Sequence, residues 1–314
     1  MRRAALVIAI LAILAAALGW FLTAPEPLQA AQLPTHAPDP KNGALVFYAG
    51  GCSSCHAAPD AKGDDKLKLG GGLELKTPFG LFRVPNISPD RETGIGGWST
   101  LAFVNAVMRG VSPRGAHYYP AFPYTSFARM RVEDVIDLKA FLDTLPPISN
   151  RVAGHDLHFP FSVRRGIGLW KRLYLSDRPV LALAGASEAV HRGQYLVEGP
   201  GHCGECHTPR NAIGGLKPSQ WLAGAPNPEG EGIIPDITPH DEGIGSWSAD
   251  DIVGTLKTGF KPHFDTLGGR MVSVQENLAH LPDADLAAIA AYLKAVPPLP
   301  SAVKKPKSGA SNGG

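Results

Sequence analysis

The sequence predicts a mainly α-helical protein: one N-terminal membrane-spanning helix, then two tandem copies of one small helical domain. Three observations carry this. An uncharged run, Ala4 to Ala24, follows Met1-Arg2-Arg3. Landmark segments recur: Pro85-Asn86-Ile87-Ser88-Pro89 returns as Pro235-Asp236-Ile237-Thr238-Pro239, offset by 150, and Gly94-Ile95-Gly96-Gly97-Trp98-Ser99 returns as Gly243-Ile244-Gly245-Ser246-Trp247-Ser248, offset by 149. Each copy closes on an apolar stripe at helical spacing and a proline pair.

The N-terminal run has about the 20 residues that one membrane crossing needs. Arg2 and Arg3 stay on the cytoplasmic side. A cleaved signal peptide is the alternative, because Leu28-Gln29-Ala30-Ala31 offers small residues to a peptidase. Signal h-regions run only about 7–15 residues, so residues 1–24 read as a retained anchor. Residues 25–40, rich in Pro and Ala, read as a tether.

The first domain covers 41–150 and the second 187–300. A helix ending at Ala49-Gly50-Gly51 opens the first copy; one over Arg192–Gly199 opens the second. A middle helix follows each tryptophan: Leu101 to Arg109, closed by Gly110, and Ala249 to Thr258, closed by Gly259. Ser99 and Ser248 suit the N-cap, and the glycines the C′ position. The last helices run from Val132 to Leu145 and from Asp283 to Val296, with stripes Val135, Leu138, Leu142 and Leu286, Ile289, Leu293. Residues 151–186 form a connector mixing basic and apolar side chains, read as packed between the domains; a membrane or partner surface is the other reading. The tail, 301–314, reads as disordered.

All four cysteines fall in two matching motifs, Cys52-Ser53-Ser54-Cys55-His56 and Cys203-Gly204-Glu205-Cys206-His207, offset by 151. Cys-x-x-Cys-His is the attachment pattern of c-type haem. Each thiol adds across one vinyl group, and the adjacent histidine is held under the iron as proximal ligand. A disulfide framework leaves the two histidines unexplained. A thioredoxin-like pair needs a βαβ setting, and a structural zinc leaves the surrounding repeat unexplained. The two domains therefore read as tandem class I cytochrome c domains holding two covalently attached haem c groups. Such attachment takes place outside the bacterial cytoplasm, so the haem domains should face the periplasm from the inner membrane.

Each iron needs a sixth ligand, and methionine there raises the potential and closes the site. In the second copy Met271, in Gly268-Gly269-Arg270-Met271, is the one methionine. In the first copy the alignment of the proline pairs places Met271 near Phe122. Met130, His117, Met108 or no protein ligand remain open there. Trp98 and Trp247 are candidates to border the haem propionates with an indole N–H, with a plain core role as the alternative.

Taken together, the two Cys-x-x-Cys-His domains, the Pro-(Asn/Asp)-Ile-(Ser/Thr)-Pro and Gly-Ile-Gly-x-Trp-Ser segments and the late Gly-Gly-x-Met resemble the membrane-bound cytochrome c subunits of bacterial periplasmic dehydrogenases. Those of alcohol dehydrogenase and gluconate 2-dehydrogenase are two such subunits. The resemblance covers residues 41–300. It implies that electrons leave a separate dehydrogenase subunit, pass between haems and go on to ubiquinone, a small cytochrome c or a terminal oxidase. It carries haem attachment to Cys52, Cys55, Cys203 and Cys206, proximal ligation to His56 and His207, and distal ligation to Met271. Members often carry three haems where this chain has motifs for two. Phe122 stands where the pattern Pro-Ala-Met-Pro-Tyr has methionine, which leaves the first haem's coordination open.

Electron transfer without chemistry on a substrate is therefore the expected role. A dihaem peroxidase-type enzyme with an open first haem is the alternative. The net charge of +2 gives no sign of nucleic-acid binding.

Overall fold

The computed structural model describes residues 1–228, 230, 232–262 and 265–304. In chain order the helices are α1 Arg2–Leu22, α2 Pro40–Ala49, α3 Ser53–His56, α4 Thr100–Arg109, α5 Tyr124–Phe127, α6 Val132–Leu142, α7 Ile167–Tyr174, α8 Glu188–Glu198, α9 Gly204–His207, α10 Ala249–Thr258, α11 Arg270–Leu278 and α12 Asp283–Ala295. The strands are short: β1 Glu74–Thr77, β2 Gly80–Arg83, β3 Asp156–Leu157, β4 Ala225–Pro226 and β5 Ile233–Ile234. They form an antiparallel sheet β1-β2-β3 and a β4-β5 pair. The sequence reading missed them, because none exceeds four residues and β3 lies in the connector.

Helix α1 is long and apolar enough to cross a membrane, a property it shares with signal sequences, and none of its side chains is buried. The remaining helices gather around two apolar cores. The first includes Phe47, Val104, Val135 and Leu142. The second includes Val197, Leu222, Leu286 and Leu293.

Each core is framed by one close helix crossing: α2 packs on α6, and α8 on α12. A glycine sits at each crossing. A Cβ at Gly43 would lie 2.0 Å from the Asp137 carbonyl oxygen, and one at Gly193 would lie 1.9 Å from that of Ala288. The helix that leads into each cysteine motif is thus set directly on the backbone of the last helix.

The predicted caps are present. Ser99 Oγ accepts from the Ala102 N–H at 3.2 Å and Ser248 Oγ from the Asp251 N–H at 3.1 Å. Gly110 and Gly259 close α4 and α10 with φ of 58° and 80°, the left-handed conformation that favours glycine. Helix α6 stops at Leu142 and α12 at Ala295, slightly short of the predicted ends.

Two segments differ from expectation. Residues 25–40 are fastened rather than a free tether. Leu28 and Asn105 exchange two hydrogen bonds, and the Asp137 carboxylate holds both His36 Nε2 and the Asp39 N–H at 2.7 Å. Of the predicted disordered tail, 305–314 lie outside the described residues. Ser301 and Ala302 are held on the second half through Glu242 and the Ala223 carbonyl.

The connector bridges the halves. Lys171 Nζ, buried, donates to the carbonyls of Arg109 and Gly110 at 2.6 and 2.7 Å. On the other side Trp170 Nε1 donates to the Ile213 carbonyl and Asn211 Nδ2 to the Tyr174 hydroxyl, each at 2.8 Å.

The glycine crossings generate a prediction. Gly43→Ala and Gly193→Ala should each cost about 1–3 kcal/mol through overpacking. Thermal unfolding of the haem-loaded chain should show lowered midpoints for both, and an unchanged midpoint would refute the backbone-contact account.

Candidate haem centres

Helices α2 and α8 each deliver the chain into a tight turn and then a single helical turn, α3 or α9, that carries the cysteine motif. Three-residue spacing on one helical turn sets Cys52 with Cys55, and Cys203 with Cys206, on the same side. The histidine that follows is fixed twice. Its own carbonyl accepts from a glycine N–H at 2.8 Å, Gly71 for His56 and Gly224 for His207. Its ring Nδ1 lies 2.8 Å from a proline carbonyl, Pro85 or Pro235. A carbonyl only accepts, so Nδ1 carries the proton and Nε2 is the nitrogen left to ligate. This explains the repeated Pro-(Asn/Asp)-Ile segments, which the sequence marks as landmarks without showing their task.

Burial lowers both histidines, His56 to about 4, which keeps the imidazoles neutral as a metal ligand must be. Burial, with the neighbouring cysteine adding, pushes Cys52 and Cys203 up to about 12.

In the second half these groups open on a cavity of about 1110 Å³. That exceeds the 300–1,000 Å³ usual for small-molecule pockets. Cys203, Cys206, His207, Met271 and Trp247 all line it, with Ile237, Ile244, Leu281, Ile289 and Leu293 as apolar walls. Large size, apolar walls, a prepared histidine and a soft methionine sulfur fit a haem. Among the described residues no group of three or more His, Cys, Asp or Glu side chains could hold a metal ion.

In the first half Cys52, Ile87 and Trp98 pack against the first core. Met130 and Met108 are both buried in that core. Met130 matches Leu281, which lines the second cavity; Met108 matches Leu256 or Lys257, of which Leu256 also lines it. Phe122 packs among the rings of Tyr118, Tyr124 and Phe127, an aromatic filling of that corner. His117 faces elsewhere, and this corrects the reading of it as a distal ligand. The Val111–His117 bridge turns its ring to the end of α1, where Nε2 donates to the Thr23 carbonyl at 2.9 Å.

The residues that lead into the two cysteine motifs touch, and sequence reasoning did not foresee it. His202 Nε2 donates to the Gly50 carbonyl at 3.3 Å, and Ala49 lines the second cavity. Each motif also docks on the other half. Asn277 of α11 accepts from Ser53 Oγ and donates to Ser54 Oγ. Thr125 and Ser126 of α5 donate to Glu205 Oε1 at 2.7 and 2.8 Å. Ser54 and Glu205 are equivalent positions, as are Ser126 and Asn277, all at the motif offset of 151.

Burial works to raise Glu205, but the charge of Arg210 and the bonds from Thr125, Ser126 and Arg210 outweigh it and hold the carboxyl below its ordinary range. A depressed carboxyl contributes stability above its unfolded value and loses it as pH falls through the folded one. Glu205→Ala should therefore cost about 3 kcal/mol at neutral pH, with the deficit shrinking in acid. Equal unfolding midpoints at pH 7 would refute the role.

Asp236 presents the opposite case. Oδ1 accepts from the Thr238 N–H at 2.6 Å, while buried Oδ2 has no hydrogen-bond partner. Burial raises its pKa, so ionisation weakens the fold as pH climbs past the unfolded value. Its counterpart Asn86 donates through Nδ2 to the Ile148 carbonyl at 2.6 Å, and the residue matching Ile148 is Leu299. Asp236→Asn should stabilise by about 1 kcal/mol at pH 7, with the gain vanishing near pH 4. Paired melts at the two pH values check this.

The chain is 51% identical over 288 residues to the diheme c-type cytochrome of Cereibacter sphaeroides, covering 91% of this chain and 96% of that one. It is 37% identical over 297 residues to the cytochrome c subunit of the quinone alcohol dehydrogenase of Gluconobacter oxydans, covering 90% of this chain and 61% of that subunit. It is 35% identical over 265 residues to the gluconate 2-dehydrogenase cytochrome c subunit of Pantoea cypripedii, covering 82% and 59%. The chain thus spans about three-fifths of these dehydrogenase subunits. No family model matches it. The peroxidase-type alternative finds no support in these relatives.

Proposed function

The chain belongs to the dihaem c-type cytochromes, carries two covalently bound haem c groups and transfers electrons through them; from that premise we propose that it relays electrons from a periplasmic dehydrogenase subunit to the respiratory chain. The observation that carries this reading is the contact between the segments leading into the two cysteine motifs, with the Gly50 carbonyl on His202 and Ala49 in the wall of the second cavity. That proximity suits the passage of electrons from one haem to the other, and the relatives favour a relay over a peroxidase-type enzyme.

In this reading residues 41–150 and 187–300 are two class I cytochrome c domains. Cys52 and Cys55 hold one haem and Cys203 and Cys206 the other. Haem c supplies a one-electron iron couple when bound. His56 and His207 present Nε2 as proximal ligands because Pro85 and Pro235 take the Nδ1 proton. Met271 is the distal ligand of the second site, and Met130, by the position of its counterpart Leu281, that of the first. Trp98 and Trp247 border the haem edges. Helix α1 anchors the chain in the inner membrane, with both halves in the periplasm. The relatives that are subunits of alcohol and gluconate dehydrogenases support a dehydrogenase partner; ubiquinone, a small cytochrome c or a terminal oxidase is the acceptor.

The test is optical. The oxidised chain should show two equivalents of the weak long-wavelength band of sulfur-ligated ferric haem, with Met271→Ala and Met130→Ala each removing one. The chain alone should oxidise no alcohol or sugar acid, yet its haems should be reduced when a dehydrogenase partner turns over. Substrate oxidation by the purified chain alone would sink the relay reading.

A further inference from the structure

Helix α1 has 21 residues. At about 1.5 Å per residue it spans roughly 30 Å, the thickness of a bilayer's hydrocarbon core. If α1 crosses, all of it is used, and Leu22 and Thr23 lie at the membrane surface. What packs on that end is therefore held at the same level.

The end of α1 is held by the connector. Gly168 of α7 is pressed onto it: a Cβ there would lie 2.4 Å from the Thr23 carbonyl oxygen. Arg165 Nε donates to Thr23 Oγ1 at 3.0 Å and Nη2 to the Trp20 carbonyl at 2.6 Å, with its guanidinium 4.0 Å from the Trp20 ring centre. Arg172 Nε donates to the Leu22 carbonyl at 2.6 Å. From the other side His117 takes the Thr23 carbonyl. Cationic groups on the last carbonyls also suit the negative end of the helix. The joint is rigid, and α7 extends through Trp170 and Tyr174 to the second half.

The outward side of this segment is apolar. Phe159 is 83% exposed and Leu173 69%, with Phe161, Val163 and Leu169 exposed beside them. Leu169 and Leu173 are four residues apart, on one face of α7. Exposed apolar side chains rimmed by arginines, next to an interfacial tryptophan, have the composition of a surface that sits at the headgroup boundary.

We propose that residues 159–173 are a second membrane contact, an apolar ledge that lies in the periplasmic face of the bilayer beside the anchor and fixes how both halves stand on the membrane. The occupant is phospholipid, because the ledge is continuous with the end of the one described helix long and apolar enough to span a bilayer. The proposal rests on α1 as a membrane span, which is part of the reading above.

The test uses the full haem-loaded chain in phosphatidylcholine–phosphatidylglycerol vesicles that contain a phospholipid with a photoactivatable group near the top of its acyl chain. After irradiation, lipid adducts are mapped by mass spectrometry. Adducts should appear both in 1–23 and in 159–173. The variant Phe159→Ser/Phe161→Ser/Leu173→Ser should lose the second set, keep the first and keep its haem absorption. Adducts confined to 1–23 overturn the ledge and leave the anchor standing, which would assign the apolar side chains to a protein partner. Absence of adducts in both segments overturns the ledge and the anchor together.

Discussion

The reciprocal docking of the two cysteine motifs is the constraint on which the rest of the molecule depends. Each motif is a tight turn and one turn of helix, too short to hold its own position. It is held from behind by the α2 or α8 helix on its glycine crossing, and from the front by the other half. Ser54 meets Asn277, and Glu205 meets Ser126, at equivalent positions of a duplicated fold. The copies bond neutral hydroxyl to amide on one side and carboxylate to hydroxyl on the other. The charged version needs a compensating cation, which Arg210 supplies from its own half. The neutral version needs none. Each half thus helps to position the other's motif.

Much of this was legible in the sequence because it is written in local chemistry. The cysteine motifs, the serine caps, the closing glycines and the near-constant offsets are all short-range signals, and each appears where its local rule puts it. The contact between halves was not legible. Thr125, Ser126 and Asn277 are ordinary polar residues, and only tertiary placement brings them to Ser53, Ser54 and Glu205. The task of Pro85 and Pro235 was half legible: the repeat flagged them, but a carbonyl that orients a histidine leaves no mark on residue type. His117 misled because a histidine in the correct copy invites a ligand role; a bridge of two residues turned it to the end of α1 instead. The tether misled because Pro and Ala describe stiffness and say nothing of fastening, which comes from Asn105 and Asp137 far along the chain.

The two halves keep one scaffold and differ at the corner that holds Met271 in one and Phe122 in the other. In the second half the chain runs through Gly268-Gly269 into α11, and Met271 at its start lines the cavity. In the first half the corresponding corner is filled by Tyr118, Phe122, Tyr124 and Phe127, ring against ring. Axial ligand, burial and hydrogen bonding are the means by which a protein sets a haem potential. Nδ1 lies on a proline carbonyl at the same distance in both copies, but His207 is buried and His56 only half-buried. The surroundings of the two centres therefore differ on the histidine side as well as at this corner. Duplication gave two equivalent attachment sites, and divergence at one corner gave them different surroundings.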